Sequence, residues 1–123
     1  MKELLFKDLC GRMPYNTKIQ LTEYSVTGKK LPSEIKILDY CMLGKVQAYC
    51  KGFRKDEVKP YLFPLTSMTP KQKAELAHLT ADIDGIFEQV LAEIEFYHRH
   101  HIDYQGLIPL GLAIDATGLG IYD

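Results

Sequence analysis

The chain has no long apolar run. Nothing in its 123 residues approaches the roughly 20 apolar positions that a membrane-spanning helix needs. Its opening, Met1-Lys2-Glu3-Leu4-Leu5-Phe6-Lys7-Asp8, carries charge throughout and lacks the uninterrupted apolar stretch of a secretory leader. A cytoplasmic setting with no membrane partner is the expectation. Cysteine is scarce. Cys10, Cys41 and Cys50 form no CxxC pair, and an odd number without a leader points to reduced, buried or half-buried thiols rather than a disulfide frame or a zinc knuckle. There is no basic excess either. The net charge is −1 and the pI about 6.4, whereas a dedicated nucleic-acid binder is usually strongly basic.

Catalytic signatures are missing as well. The chain contains no GxSxG elbow and no pair of histidines four apart around a glutamate. Gly118-Leu119-Gly120 is too short to cradle a phosphate, and no helix follows to present its N-terminus. No cofactor is expected.

What remains is ordinary globular composition: 46 % hydrophobic, 25 % charged, eight tyrosines and five phenylalanines. The length fits one domain, residues 1–123, and a chain of this size buries roughly two-thirds of its unfolded surface without staples. Residues 2–10 read as a short helix with Leu4, Leu5, Phe6 and Leu9 on one stripe, Lys2, Glu3, Lys7 and Asp8 outward, and Gly11 as its C-cap. Thr17 to Val26 and Glu34 to Met42 alternate as strands, with Ile19, Leu21 and, less cleanly, Tyr24 and Val26 inward in the first and Ile35, Ile37 and then Leu38 in the second. Lys45 to Cys50 reads as a third strand. Val58 to Leu65 is extended, but Pro60 and Pro64 confine it to a sheet edge or irregular chain.

The character changes at Thr69-Pro70-Lys71-Gln72, where an N-cap, a proline at the first helical position and a capping-box glutamine coincide. A helix starts there and runs to about His78, continuing or re-capping into a longer one. From Asp82 to about His100 the apolar positions Ile83, Ile86, Phe87, Val90, Leu91, Ile94, Tyr97 and His98 step by three and four, so this helix lays one stripe on the sheet. The architecture expected is α+β: a small curled antiparallel sheet of three to five strands, a short N-terminal helix, and a long C-terminal helix packed on one face.

The densest chemistry lies in Phe96-Tyr97-His98-Arg99-His100-His101-Ile102-Asp103-Tyr104. His98 and His101 are three apart and can face the same way on a helix, with Asp103 close by, the spacing a metal or a histidine-dependent hydrolase uses. A helix C-terminus also gives histidines an ordinary place, beside free carbonyls and the negative end of the dipole. The candidate binding residues are therefore His98, His101, Asp103 and Tyr104; none is assigned as catalytic or as a metal ligand. A second grouping sets Tyr40, Tyr49, Tyr61, Tyr97 and Tyr104 as a stacking platform beside Lys45, Lys51, Arg54, Lys55 and Lys59, which would suit a single-stranded nucleic acid. Core-rim packing accounts for the tyrosines more simply, and nucleic acid is disfavoured as a partner.

Three segments carry a resemblance. Asp8-Leu9-Cys10-Gly11-Arg12-Met13-Pro14-Tyr15, Lys59-Pro60-Tyr61-Leu62-Phe63-Pro64-Leu65-Thr66-Ser67-Met68-Thr69, and His100-His101-Ile102-Asp103-Tyr104-Gln105-Gly106-Leu107-Ile108 with Gly111-Leu112-Ala113 resemble, in that order, blocks of small uncharacterised proteins of gut Bacteroidales, their phages and prophages. That group has no assigned activity, so the resemblance implies no catalytic residue. It implies a bacterial or phage accessory role rather than a housekeeping one. The function expected is a non-enzymatic binding protein whose partner is a host or phage protein, a small ligand, or a second copy in a homo-oligomer.

Overall fold

The computed structural model describes residues 2–52 and 56–122. The first helix, α1 (Lys2–Arg12), runs two residues beyond its expected end, and Gly11 lies inside it rather than capping it. The reason is tertiary. A Cβ on Gly11 would lie 2.7 Å from Cε1 of His98, so glycine is what lets a distant imidazole rest against the helix. A 3-10 turn, Met13–Tyr15, leads to β1 (Lys18–Thr22), whose Ile19 and Leu21 are buried as the alternation predicts, but the strand stops short of Tyr24, which is half-buried, and Val26, which is fully exposed in a loop. After a loop comes β2 (Glu34–Ile37). Here the expected inward faces fail. Ile35 and Ile37 are exposed, and only Leu38 beyond them reaches the core.

The expected third strand is a helix, α2 (Leu43–Cys50). A short apolar run fits either period, because Val46 and Tyr49 are three apart while Val46, Ala48 and Cys50 alternate. Packing against α1 decides it, with Val46 and Tyr49 turned into the core.

The proline-bearing segment is not an edge. It is β3 (Glu57–Pro64), the strand with the most neighbours. Its first half pairs antiparallel with β1, from Thr22 opposite Glu57 to Ile19 opposite Pro60. Its second half pairs parallel with two-residue strands: Tyr61–Leu62 with β5 (Ile114–Asp115) and Phe63–Pro64 with β4 (Ile102–Asp103). Pro60 thus falls at the junction of the two pairings and Pro64 at the strand's end. The hydroxyl of Tyr122 repairs the junction. It accepts from the Lys18 amide at 2.9 Å and donates to the Tyr61 carbonyl at 2.7 Å, one position past the last β1–β3 pair. The five-stranded sheet is therefore mixed, where all-antiparallel pairing was expected, while the α+β class stands.

The main core joins α1, α2 and the sheet through Leu5, Leu9, Ile19, Val46, Val58 and Leu62, closed over by Leu107 and Leu112 from the C-terminal return. Completely removed from water, one such aliphatic side chain contributes about 1.5–3 kcal/mol.

A 3-10 turn, Leu65–Ser67, precedes α3 (Pro70–Ala81). The capping box forms as read. The Gln72 amide donates to Thr69 Oγ1 at 3.1 Å, and the Thr69 amide donates to Gln72 Oε1 at 3.0 Å. The chain then turns through residues 82–85, where Gly85 takes φ 94, and returns as α4 (Ile86–Arg99). The two helices form a hairpin. α4 meets the rest of the molecule chiefly at β4 and α1, near its own C-terminus. It does not lie along the sheet, and α3 buries no residue at all. A small second core, Met68, Phe96 and Ile102 with Leu76 and Tyr97 against it, fixes the base of the hairpin. No helix of the described residues is long and apolar enough to cross a membrane.

Candidate functional site

The four candidate residues lie where α4 stops and the chain returns to the sheet. α4 ends at Arg99 with His100 as C-cap, so His101 is off the helix and does not share a face with His98. His101 has φ 58, a left-handed backbone that L residues adopt sparingly. Its carbonyl accepts from the Phe63 amide at 2.8 Å, which delivers Ile102 and Asp103 into β4.

Each side chain then goes its own way. Asp103 is buried, and its two oxygens accept from the amides of Leu107 at 2.8 Å and Ile108 at 2.9 Å, holding the turn shut. His98 is buried, with Nε2 3.0 Å from the Tyr104 hydroxyl and its ring between Gly11 and Tyr15. Tyr104 stacks on Tyr97 at 5.2 Å. His101 stacks almost parallel on Tyr122 at 3.8 Å, with Nδ1 3.4 Å from Thr17 Oγ1. Burial lowers the His101 pKa to about 4, helped by the charges of Arg12, His100 and Lys18. Burial also lowers that of His98, as does Arg12, with Asp8 opposing. Both rings are thereby favoured in their neutral form. Burial carries Tyr122 up to about 12.

Beneath these residues lies a pair the sequence reading missed. Asp8 and Arg12, four apart on α1, form an ion pair with both side chains fully buried. Arg12 Nε donates to Asp8 Oδ2 at 2.6 Å, and Nη2 reaches Asp8 Oδ1 at 3.2 Å and the Ile102 carbonyl at 2.6 Å. Gln105 Nε2 donates to Asp8 Oδ1 at 2.8 Å and to the Tyr104 hydroxyl at 3.4 Å. Asp8 was expected to face outward. Its spacing to Arg12 was the available signal, but an i,i+4 pair usually sits on the surface. The network ties α1 to β4 and the C-terminal return.

Among the described residues, no three histidine, cysteine, aspartate or glutamate side chains converge as metal ligands. His98, His101 and Asp103 are each engaged by a different neighbour, so the histidine-dependent hydrolase reading finds no convergent set of groups here. Cys10 and Cys41 are exposed where buried or half-buried thiols were expected, whereas Cys50 is half-buried, with its thiol pKa raised by burial.

The tyrosine platform does not assemble. Tyr40 is exposed on a 3-10 turn (Tyr40–Met42), Tyr49 is buried in α2, Tyr61 is buried in β3, and Tyr97 and Tyr104 face each other. Lys45 reaches Glu23 at 3.4 Å, and Arg54 and Lys55 lie outside the described residues.

Two open grooves lie elsewhere. One, of about 630 Å³, runs between α3 and α4, lined by Glu75, His78, Leu79, Phe96, Arg99 and His100. The other, about 520 Å³, lies between α1 and α2 and includes Phe6, Gln47 and Cys50. None of His98, His101, Asp103 and Tyr104 lines either.

The most unusual surface is on the hairpin. Ile86 is 80 %, Phe87 72 %, Val90 45 % and Leu91 51 % exposed, all within the first two turns of α4. These are the residues expected to cover the sheet. They continue the stripe that ends in half-buried Ile94 and Tyr97 and buried His98. Compared with known protein families, curated protein sequences and solved structures, the chain matches none of them.

Proposed function

We propose that this chain is a non-enzymatic accessory protein that works by binding another protein chain, with the α3–α4 hairpin as its recognition element. The observation that carries this is the contiguous stripe of Ile86, Phe87, Val90 and Leu91, turned to solvent on an arm that projects from a finished core. Contiguous exposed apolar surface on a folded chain marks an interaction site far more often than a scattered exposed leucine does. The histidine block supports the same reading from the other side. Its polar groups bond to the protein itself, as in a structural joint, and the joint sets where the arm points. A bacterial or phage setting is proposed on the three segments that resemble such proteins.

The test compares the wild-type chain with Phe87→Glu/Leu91→Glu, each tagged and co-expressed with an untagged copy of itself in the same kind of cell. The expected result is a stoichiometric co-purifying chain that disappears in the variant, while the circular dichroism of the folded chain stays the same. Equal recovery of every co-purifying protein with both forms would refute the reading.

A further inference from the structure

Resting on that reading, we infer that the occupant of the hairpin's apolar face is a second copy of this chain, bound antiparallel across a two-fold axis. Helical geometry first defines the face. On α3, Leu76 packs against the small core that holds Phe96 of α4, while Glu75, His78 and Leu79 fall on the flank that lines the groove. Lys73 and Ala77, four apart and exposed, therefore lie on the opposite flank. On α4 the groove takes Phe96, Arg99 and His100, and the stripe lies round the helix from them. Ile86 and Val90 thus share one side of the hairpin with Lys73 and Ala77, and Phe87 and Leu91 carry the stripe on round the back of α4, with small Ala77 letting another helix approach closely.

Area comes next. Four side chains of these sizes and exposures present on the order of 500 Å², within the range of the largest patch a monomer carries. Two copies facing each other can remove at most about 1,000 Å² of this stripe from water, so rim contacts must carry the pair past the lower bound for a specific interface. A two-fold dimer buries the same patch on both copies and closes, leaving no stripe exposed.

Charge then selects the orientation. The base of the hairpin opens with Lys71 and Lys73, and its tip carries Asp82, Asp84 and Glu88, all exposed. α3 separates the two ends by about 18 Å. Parallel pairing would set lysine on lysine and carboxylate on carboxylate. Antiparallel pairing lays each acidic tip over the other copy's lysines and gives a four-helix arrangement. The acidic tip also disfavours an anionic lipid surface as the occupant.

Sedimentation equilibrium of the full chain tests this, with Phe87→Glu/Leu91→Glu, Lys73→Glu, and the swap Lys73→Glu/Asp84→Lys alongside. The expected result is a reversible dimer for the wild type and a folded monomer for the Phe87→Glu/Leu91→Glu variant. Lys73→Glu is expected to weaken the dimer about tenfold, as a rim pair turned repulsive does, and the swap to restore it. A wild-type chain that stays monomeric at high micromolar concentration overturns the second-copy proposal. In that case the co-purification test above still decides the binding reading on its own. A dimer untouched by Phe87→Glu/Leu91→Glu, or a swap that fails to recover affinity, overturns the proposed face or its orientation.

Discussion

The body of the molecule and its helical hairpin use similar residues to opposite ends. In the body, α1, α2, the sheet and the C-terminal return bury Leu5, Leu9, Ile19, Val58, Leu62 and Leu107 completely and enclose even a charged pair, Asp8 and Arg12. In the hairpin, α3 buries nothing, and α4 leaves Ile86, Phe87, Val90 and Leu91 in water. Helix α4 is the more instructive because it belongs to both regions. Its last turn carries Phe96 and His98 into the protein, and its first two turns carry an equally apolar stripe away from it. Amphipathicity shows that a helix has a covered face, but not whether the cover comes from its own chain.

The largest expected effect lies at the centre of the body. Arg12→Leu strands the Asp8 carboxylate in the interior and should cost about 3–5 kcal/mol in urea unfolding, the usual penalty for breaking a buried ion pair. The double replacement Asp8→Leu/Arg12→Leu should recover much of that loss, because the uncompensated charge is gone. If the single variant cost no more than a surface substitution, the contrast between a closed body and an open arm would fail.

Gly11→Ala is the next largest. Alanine ordinarily favours a helix interior over glycine, yet here its Cβ meets the His98 ring at 2.7 Å. That ring is held by Tyr104 and flanked by Tyr15. The expected net loss is about 1–2 kcal/mol, overpacking outweighing the helix propensity gained. A rise in Tm would show that α1 and α4 are not clamped at this point.

Acid should act on the same joint. His101 titrates near 6.5 when unfolded and at about 4 when folded. Between those values the unfolded chain binds more protons, so this contribution to stability falls as pH drops from about 6.5 to 4 and is level above 6.5. His101→Asn, which tolerates the left-handed backbone, should flatten the slope of Tm against pH across that window. An unchanged slope would assign the acid sensitivity to other groups.

In the hairpin the effects should be smaller and local. Thr69→Ala removes the N-cap of α3 and should cost about 1 kcal/mol. Amide exchange should show the loss in α3 and α4 while β1 and β3 keep their protection. The smallest effect on folding belongs to Phe87→Glu, within about 0.5 kcal/mol of the wild type when both are measured dilute enough to be monomeric, because the ring is then in water. A large destabilisation there would mean that the stripe is needed by the fold itself, which would remove the distinction between the two regions.

Local signals in the sequence were read correctly wherever the cause was local. The Thr69–Gln72 capping box, the alternation of Ile19 and Leu21 and the halt of α4 near His100 each depend on neighbours within a turn. The misreadings share a different cause. Lys45 to Cys50 became helix because α1 lies beside it. Pro60 and Pro64 were admitted to the best-connected strand because its pairing changes partner at one and ends at the other. Asp8 turned inward because Arg12 and Gln105 meet it there.

The sequence alone determined the α+β class, the positions of the long helices, and the concentration of polar chemistry at residues 98–104. Those follow from periodicity, capping and composition, which act over a few residues. Only the tertiary structure decided that this chemistry is divided among separate neighbours, and that half of the best apolar stripe is left uncovered. Whether a side chain is engaged or free depends on residues far away in the chain, as His98 does on Gly11 and His101 on Tyr122. No local pattern encodes that distance.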